Sequence, residues 1–90
     1  MYYVYVLQSD VTGRHYTGSA ADVEERLRRH NSGDTKSTRH GIPWRVIYKA
    51  GFATRQAAVQ RELYLKTGRG RKELEKLCAV INIRGVAQPG

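Results

Sequence analysis

The sequence predicts an α+β domain in which a small three-stranded antiparallel sheet is flanked by helices, in the order β-β-α-β-α-α. Three observations predict this class. Two segments near the start, rich in β-branched and aromatic residues, are separated by a short turn, which is typical of a hairpin. Apolar residues at helical spacing recur in three later segments, and one extended apolar segment lies among them. A length of 90 residues leaves room for one core between two layers.

The predicted hairpin occupies the start of the chain. Residues 2–8 are mostly aromatic and β-branched, so we expect a strand that is buried on both faces. Residues 9–13 have turn chemistry, because Gly13 can adopt a positive φ there. Residues 14–18 then return as the second strand.

The first helix is expected to begin near Ala20 and to end at Gly33. Ser19 followed by Asp22 resembles the capping signal of such a helix. Acidic residues lie in its first turns and basic residues near its end, which suits the helix dipole.

The second half of the chain predicts a loop, a strand and two helices. Residues 34–42 are polar and contain glycine, so they are expected to form a loop. An extended apolar segment over residues 44–52 predicts the third strand. A helix capped by Thr54 is expected to run through Lys66 and to be closed by glycine, and a third helix is expected over residues 71–80.

Composition limits the class of protein. Apolar residues make up 40% and charged residues 27%, which is ordinary globular usage. The apolar runs are far shorter than the ~20 residues of a membrane span, and the start lacks the basic region of a secretory signal. The single cysteine, Cys78, cannot form an internal disulfide. We therefore expect a cytoplasmic protein with one domain over residues 1–81 and a fraying tail over residues 82–90.

Positive charge is concentrated in the middle of the chain. The formal net charge is +8, from 16 Lys and Arg against 8 Asp and Glu. Residues 1–25 carry one base and four acids, a net charge of −3, whereas residues 26–61 carry nine bases and one acid, a net charge of +8. Such a distribution attracts polyanions, of which nucleic acid is the commonest. The alternatives are a charge that only aids solubility, or binding to an anionic membrane surface.

Four side chains could meet on one surface. Tyr5 and Tyr16 lie on the paired strands, where cross-strand neighbours come within roughly 5–8 Å. Arg26 precedes His30 by four residues, so both lie on one side of the first helix, and an arginine there could bind phosphate. Each of these residues also has an interpretation without a function: the tyrosines would be strand residues with hydroxyls in water, the arginine a solvated surface residue, and the histidine a core residue with one nitrogen hydrogen-bonded.

Glu62 is the only acidic residue between Asp34 and Glu73. An apolar helix border surrounds it, where a carboxylate is costly unless it is paired or binds a cation. Two interpretations follow: a salt bridge to Arg61 or Lys66, or a ligand for Mg²⁺, which commonly binds through one or two carboxylates plus substrate phosphate.

Taken in order, these residues resemble the GIY-YIG nuclease domain. Tyr3-Val4-Tyr5 stands where that family has Gly-Ile-Tyr, and Tyr16-Thr17-Gly18 where it has Tyr-Ile-Gly. The similarity covers residues 2–78 and is nearest to the short, stand-alone, uncharacterised bacterial members of the UPF0213-like group. Further matches are the helix arginine Arg26, the segment His30-Asn31-Ser32-Gly33 and the helix positions Ala58, Glu62 and Lys66.

The sequence departs from the family pattern at three points. Tyr3 replaces the first glycine and Thr17 replaces the isoleucine, and neither change touches the tyrosine hydroxyls. The family's late asparagine is not assigned, because Asn82 falls beyond the expected place.

The resemblance implies an endonuclease that uses Mg²⁺ or Mn²⁺ to hydrolyse phosphodiester bonds in DNA. Glu62 would hold the cation and Arg26 would bind the phosphate. Tyr5 would orient or deprotonate the attacking water, with its pKa lowered by Arg26 and the metal. Tyr16 and His30 would position this network, or His30 would itself take the proton.

Binding is expected to be electrostatic and selective for DNA structure rather than sequence, because no element suits reading bases in a groove. Branched, nicked or single-stranded DNA, such as a repair intermediate, is the expected partner, with RNA and a targeting protein as further partners. The alternatives are a catalytically silent nucleic-acid binder and a basic module that needs a partner. The residues expected to contact nucleic acid are Arg28, Arg29, Lys36, Arg39, Arg45, Lys66 and Arg69.

Overall fold

The predicted fold class and element order are confirmed. A computed structural model describes the backbone of residues 1–87 and the side chains of residues 1–77. A short 3₁₀ helix is the one element in residues 1–87 that was not predicted. The elements are β1 (Tyr2–Ser9), β2 (His15–Ala20), α1 (Val23–Ser32), the 3₁₀ helix (Lys36–Gly41), β3 (Trp44–Phe52), α2 (Arg55–Leu65) and α3 (Gly68–Ala87).

The central strand of the sheet is β1. The order is β2-β1-β3 with both pairings antiparallel, so the hairpin partner β2 forms a free edge. Residues 4–7 are all buried, as predicted for a strand covered on both faces. In the β1–β2 register, Tyr5 lies directly opposite Gly18, and Val4 lies opposite Ser19.

Side chains alternate along β1 and build two cores, one on each face of the sheet. Helices α2 and α3 cover the first face, and α1 and the 3₁₀ helix cover the second. The first core contains Val4, Val6, Ile47, Ala58, Leu65 and Leu74, and the second contains Tyr5, Leu7, Ala20, Val23 and Trp44. Side chains from α1 and from α2 therefore approach β2 from opposite faces of the sheet.

The predicted capping signal of α1 is corrected. Asp22 is the N-cap and accepts a hydrogen bond from the backbone N–H of Glu25 at 3.0 Å, so the helix begins at Val23 rather than near Ala20. Ser19 takes no part in the cap, because β2 extends through Ala20 and Ser19 pairs with the central strand.

The predicted loop over residues 34–42 contains the 3₁₀ helix because its polar groups are held from several sides. The Trp44 indole donates to the carbonyl of Thr38 at 2.7 Å. The Ser9 hydroxyl donates to the carbonyl of Gly41 at 2.6 Å. These contacts join distant parts of the chain, so local composition did not reveal them.

The boundary between the last two helices also differs from the prediction. Helix α2 ends at Leu65, and Gly68 begins α3 instead of closing the helix before it. The helices approach closely at Gly70, where a Cβ atom would overlap the carbonyl oxygen of Tyr64.

The third helix was predicted over 71–80, but its backbone continues to Ala87, so no change of secondary structure marks the expected boundary at residue 81. The fraying tail stays a prediction, and the side chains of Cys78 and Asn82 lie outside the described residues.

None of the helices in residues 1–87 combines the length and the apolarity needed to cross a membrane.

Candidate active site

The contact that organises the site lies between Tyr5 and Gly18. The Tyr5 side chain is 1% exposed and crosses over the neighbouring strand at Gly18. A Cβ atom at position 18 would lie 2.7 Å from the Tyr5 hydroxyl oxygen and 3.1 Å from a ring carbon of Tyr16. Glycine at this position therefore lets the phenol reach the free edge of the sheet.

Three rings cluster on this side of the sheet. The ring centroids of Tyr16 and His30 are 4.6 Å apart, and each lies 6.4 Å from the centroid of Tyr5. The hairpin supplies both tyrosines and α1 supplies the histidine, so the predicted convergence of these three residues is present in the structure.

Arg26 lies beside this cluster. Its positive charge adds to the effect of burial that lowers the pKa of His30, and it opposes the effect of burial that raises the pKa of Tyr5. Arg26 is exposed on α1 and shares a cavity of about 290 Å³ with Ser19 of β2. The arginine thus faces the free edge of the sheet rather than the core.

A base role for Tyr5 was expected to require that Arg26 and the metal lower its pKa, and Arg26 alone does not do so. Burial is the largest effect, Tyr16 and Glu62 add to it and Arg26 opposes it, and together they raise the pKa of Tyr5 to about 12. Tyr5 therefore keeps its proton at neutral pH and acts as a hydrogen-bond donor or acceptor, not as a free phenolate.

His30 is buried and held in one orientation. Its Nδ1 lies 2.8 Å from the hydroxyl of Thr38, and that hydroxyl donates to the carbonyl of Thr35 at 3.2 Å. The Thr38 proton is thereby used, so Nδ1 of His30 carries a proton and donates, which leaves the lone pair on Nε2. Burial, with a smaller effect of Arg26, lowers the pKa of His30 below 6.5, so the ring is neutral at neutral pH.

The Glu62 carboxylate is bound at both oxygens. The Ser19 hydroxyl donates to Oε1 at 2.6 Å, and the Lys66 ammonium donates to Oε2 at 2.8 Å. Burial raises the pKa of Glu62, but the hydrogen bonds from Lys66 and Ser19 together outweigh it, so the net direction is downward and the carboxylate is ionised. The salt bridge considered for this residue is present to Lys66, whereas Arg61 pairs with Glu73 instead.

Glu62 meets the phenol group across the free edge of the sheet. It belongs to α2 on one face and Tyr5 points toward the other, yet the Glu62 charge is close enough to raise the pKa of Tyr5. The acid, the two phenols and the guanidinium therefore lie around the same part of β2, next to Gly18 and Ser19.

A divalent cation fits this carboxylate only in an open site. Among residues 1–77, no three His, Cys, Asp or Glu side chains come together as a metal cage. Glu62 supplies one ionised, 18% exposed side chain with hard oxygen atoms. That donor set suits Mg²⁺ or Mn²⁺ bound by one carboxylate together with water and substrate phosphate.

Comparison with known proteins decides the family. The GIY-YIG catalytic domain matches residues 1–75. The chain belongs to the GIY-YIG family. It is 35% identical over 75 residues to a UPF0213 protein of Staphylococcus saprophyticus, covering 82% of this chain and 90% of that one. It is 36% identical over 75 residues to a UPF0213 protein of Halobacterium salinarum, covering 81% and 96%.

A solved structure is similar to the fold described above. It is the solution NMR structure of a UPF0213 protein from Bacillus halodurans, with a TM-score of 0.51 and 33% sequence identity. The similarity covers 86% of this chain and 85% of that one. The family resemblance inferred from the motifs is therefore confirmed.

The seven residues expected to contact nucleic acid are dispersed on this GIY-YIG domain. Lys66 lies at the site through its bond to Glu62. Arg29 lies 3.8 Å from Glu25, and the Arg45 side chain donates to Asp10 at 3.0 Å on the opposite edge strand. The others lie on the surface: Arg39, which donates to the Gly33 carbonyl, and Arg28, Lys36 and Arg69.

Sequence analysis missed two groups that hold the site in place. Thr38 orients His30, and Ser19 holds Glu62. Asn31 is a further anchor, since its side chain accepts from the N–H of Trp44 at 2.6 Å and donates to the carbonyl of Trp44 at 3.0 Å. Asn31 and Thr38 lie in segments that match the family pattern, but the match indicated no partner for either side chain, and Ser19 was assigned to a helix cap.

Protonation of His30 is expected to destabilise the fold. The unfolded chain binds a proton near pH 6.5 and the folded chain resists it, so stability falls as pH decreases from 6.5 through the folded-state pKa. Urea unfolding of wild type and His30→Gln should show this loss only in wild type, and NMR titration should place the His30 pKa below 6.5. His40→Gln, at an exposed position, is the control and should retain the wild-type slope. A His30 pKa at or above 6.5 would contradict the assigned burial and tautomer.

Proposed function

We propose that this GIY-YIG protein is an endonuclease that hydrolyses phosphodiester bonds in DNA with the help of Mg²⁺ or Mn²⁺. The observation that carries the proposal is the position of three groups around Gly18 and Ser19: Glu62 binds Ser19, the Tyr5 hydroxyl lies over Gly18, and Arg26 shares a cavity with Ser19. A phosphodiester placed there would face the guanidinium of Arg26, the ionised carboxylate of Glu62 and the phenol of Tyr5. These are the groups that phosphoryl transfer requires for charge stabilisation and positioning.

Arg26 would bind the scissile phosphate. Its guanidinium is exposed, always charged and forked, so it can donate two hydrogen bonds to nonbridging oxygens. Charge on these oxygens grows in the transition state, so the same bonds would strengthen as the water attacks.

Glu62 would hold the divalent cation. When bound, the cation would act as a Lewis acid that stabilises the negative charge developing on the phosphate and the leaving oxygen. Ser19 would keep the carboxylate oriented, because its hydroxyl already fixes Oε1.

The Tyr5 hydroxyl would orient the attacking water. Because its pKa is about 12, it would do so as a neutral phenol. His30 is neutral and has an available lone pair on Nε2, which makes it the better of the two groups considered for accepting the proton. The water oxygen would bond to phosphorus, the bond to the 3′ oxygen would break, and the product would carry a 5′ phosphate.

The substrate class is DNA recognised by structure. Contacts to phosphate would dominate, since the exposed Arg26 and Lys66 are the basic side chains at the site. A protein partner would supply targeting, and RNA is the alternative polyanion.

One observation favours a second function, a nucleic-acid-binding module without hydrolysis. Both Glu62 oxygens are already satisfied by Ser19 and Lys66, so the carboxylate has a structural role even without a cation. In a silent binder, conversion of Glu62 to glutamine would remove one negative charge and strengthen the affinity for DNA.

Removing either charged group should abolish cleavage. Glu62→Gln and Arg26→Ala are each expected to reduce metal-dependent nicking of supercoiled plasmid by about 10²–10³-fold, the usual effect of losing one transition-state contact. EDTA should abolish wild-type activity. Glu73→Gln is the matched control, because it removes the same charge from a carboxylate whose partners are Arg61 and Tyr64 rather than Ser19 and Lys66. Undiminished cutting by Glu62→Gln and Arg26→Ala would overturn the proposal.

Lys66 should compete with the metal. Its ammonium occupies Oε2 of Glu62, so a cation must displace it or share the carboxylate. We expect Lys66→Gln to bind Mn²⁺ about two- to five-fold more tightly than wild type, since an exposed ion pair contributes about 0.2–1 kcal/mol.

Calorimetry or Mn²⁺ electron paramagnetic resonance would measure this affinity without any reaction. Lys36→Gln is the control, since it removes the same charge from an exposed position on the 3₁₀ helix. Glu62→Gln should eliminate the binding. Equal affinities in wild type and Lys66→Gln would show that the lysine does not guard the carboxylate.

A further inference from the structure

The mechanism leaves a cavity unused beside Tyr16. It has a volume of about 750 Å³ and lies between the hairpin turn and the 3₁₀ helix. We call it the hairpin cavity; the residues that matter for its chemistry are Arg14, His15, Tyr16, Ser37, His40 and Trp44. Tyr16 belongs both to this cavity and to the ring cluster of the candidate active site.

Hydrogen bonds within the protein already fix the inner wall of the hairpin cavity. The Trp44 indole donates to the Thr38 carbonyl at 2.7 Å, and Asn31 holds the Trp44 backbone through two hydrogen bonds. The ring packs against Gly41, where a Cβ atom would come within 2.4 Å of it. An aromatic wall fixed in this way loses little entropy when a flat ring binds near it.

The chemistry of the hairpin cavity matches a nucleotide. Its rim carries the exposed side chains of Arg14, His15 and His40, and none of the described residues that line it is acidic. Tyr16 adds aromatic surface for a nucleobase, and the mostly buried Trp44, which is 7% exposed, adds part of a second ring. A cationic side chain for the phosphate and aromatic side chains for the base are the combination that single-stranded nucleic-acid sites use.

Two smaller cavities lie along the same free edge of the sheet as the hairpin cavity. One, of about 360 Å³, shares His15 and Tyr16 with it and adds Lys66 and Arg71. The other, of about 290 Å³, contains Ser19 and Arg26. The hairpin cavity therefore lies at the His15 end of β2, and the contact between Ser19 and Glu62 lies near the other end of that strand.

We propose that the hairpin cavity is a subsite for one unpaired nucleotide of the substrate strand, adjacent to the phosphodiester that is cut. This inference rests on the proposed function and narrows its substrate. A base within an intact duplex would have to leave the helical stack to enter a recess, whereas an unpaired base enters at lower cost. The protein should therefore favour DNA with an unpaired nucleotide next to the cleaved bond.

Trp44 offers a direct test, because it is the single tryptophan of the chain and lines the hairpin cavity. The full-length Glu62→Gln variant would be titrated with fluorescein-labelled oligothymidylate and with a blunt duplex of equal length. Anisotropy would report binding, and tryptophan emission would report occupancy of the cavity. We expect saturation with the single strand to change Trp44 emission and saturation with the duplex to leave it unchanged.

Variants of the rim complete the test. Arg14→Ala and His40→Ala should weaken binding of the single strand by about three- to ten-fold, through lost phosphate and stacking contacts. Lys49→Ala removes the same charge as Arg14→Ala from an exposed position on β3, the opposite edge of the sheet, and should weaken binding less. Equal losses in these two variants would overturn the subsite, as would unchanged Trp44 emission on a single strand that anisotropy shows to be bound.

The two proposals can fail separately. If wild type cleaves DNA but the emission of Trp44 does not change on binding of a single strand, the subsite proposal is overturned and the endonuclease proposal stands. If the emission of Trp44 changes but no metal-dependent cleavage is found, the result supports a nucleotide site in the hairpin cavity and overturns the endonuclease proposal.

Discussion

The packing of Tyr5 over Gly18 is the constraint on which the rest of this site depends. A phenol buried in the core could not reach the edge of the sheet if the neighbouring strand carried a side chain at that point, because even a methyl group would overlap its hydroxyl. With that space open, the ring spans β2 and comes within electrostatic reach of both Arg26 and Glu62. The two layers of the domain thus contribute to one site without any loop that bridges them.

The same geometry explains how an acidic group is tolerated at an apolar helix border. Burial alone would favour the neutral form of Glu62, and the hydrogen bonds from Ser19 and Lys66 reverse that preference. The side chains that stabilise the carboxylate therefore also keep it ionised and ready for a cation. On the other face, the bond from Nδ1–H of His30 to Thr38 leaves the lone pair of the neutral imidazole on Nε2 and ties α1 to the 3₁₀ helix, so one contact serves both the fold and the chemistry.

Much of the fold follows from local sequence, whereas the site depends on contacts between distant residues. The central strand was predictable because four consecutive residues, 4–7, suit a position buried on both faces. Ser19 was assigned to a helix cap because hydroxyl residues favour caps, but its partner, Glu62, lies 43 residues away, beyond the reach of local patterns. The pKa of Tyr5 was placed too low because the effect of burial, although the strand was predicted to be buried, was not weighed against the charge of Arg26. The order of the motifs along the chain indicated that Tyr5, Arg26 and Glu62 belong to one site. The sheet order β2-β1-β3 explains how they reach it from opposite faces of the sheet.

The most direct test of this account is the substitution Gly18→Ala, compared with Gly51→Ala. Both glycines lie in strands, but a Cβ at position 51 approaches only the flexible end of Met1 and, at 3.2 Å, the ring of Tyr3. We expect Gly18→Ala to retain the far-ultraviolet circular dichroism of the fold, to lose about 1–3 kcal/mol of stability through overpacking, and to lose metal-dependent cleavage. Gly51→Ala should cleave at the wild-type rate. Full activity in Gly18→Ala would contradict the claim that the open position beneath Tyr5 assembles the site.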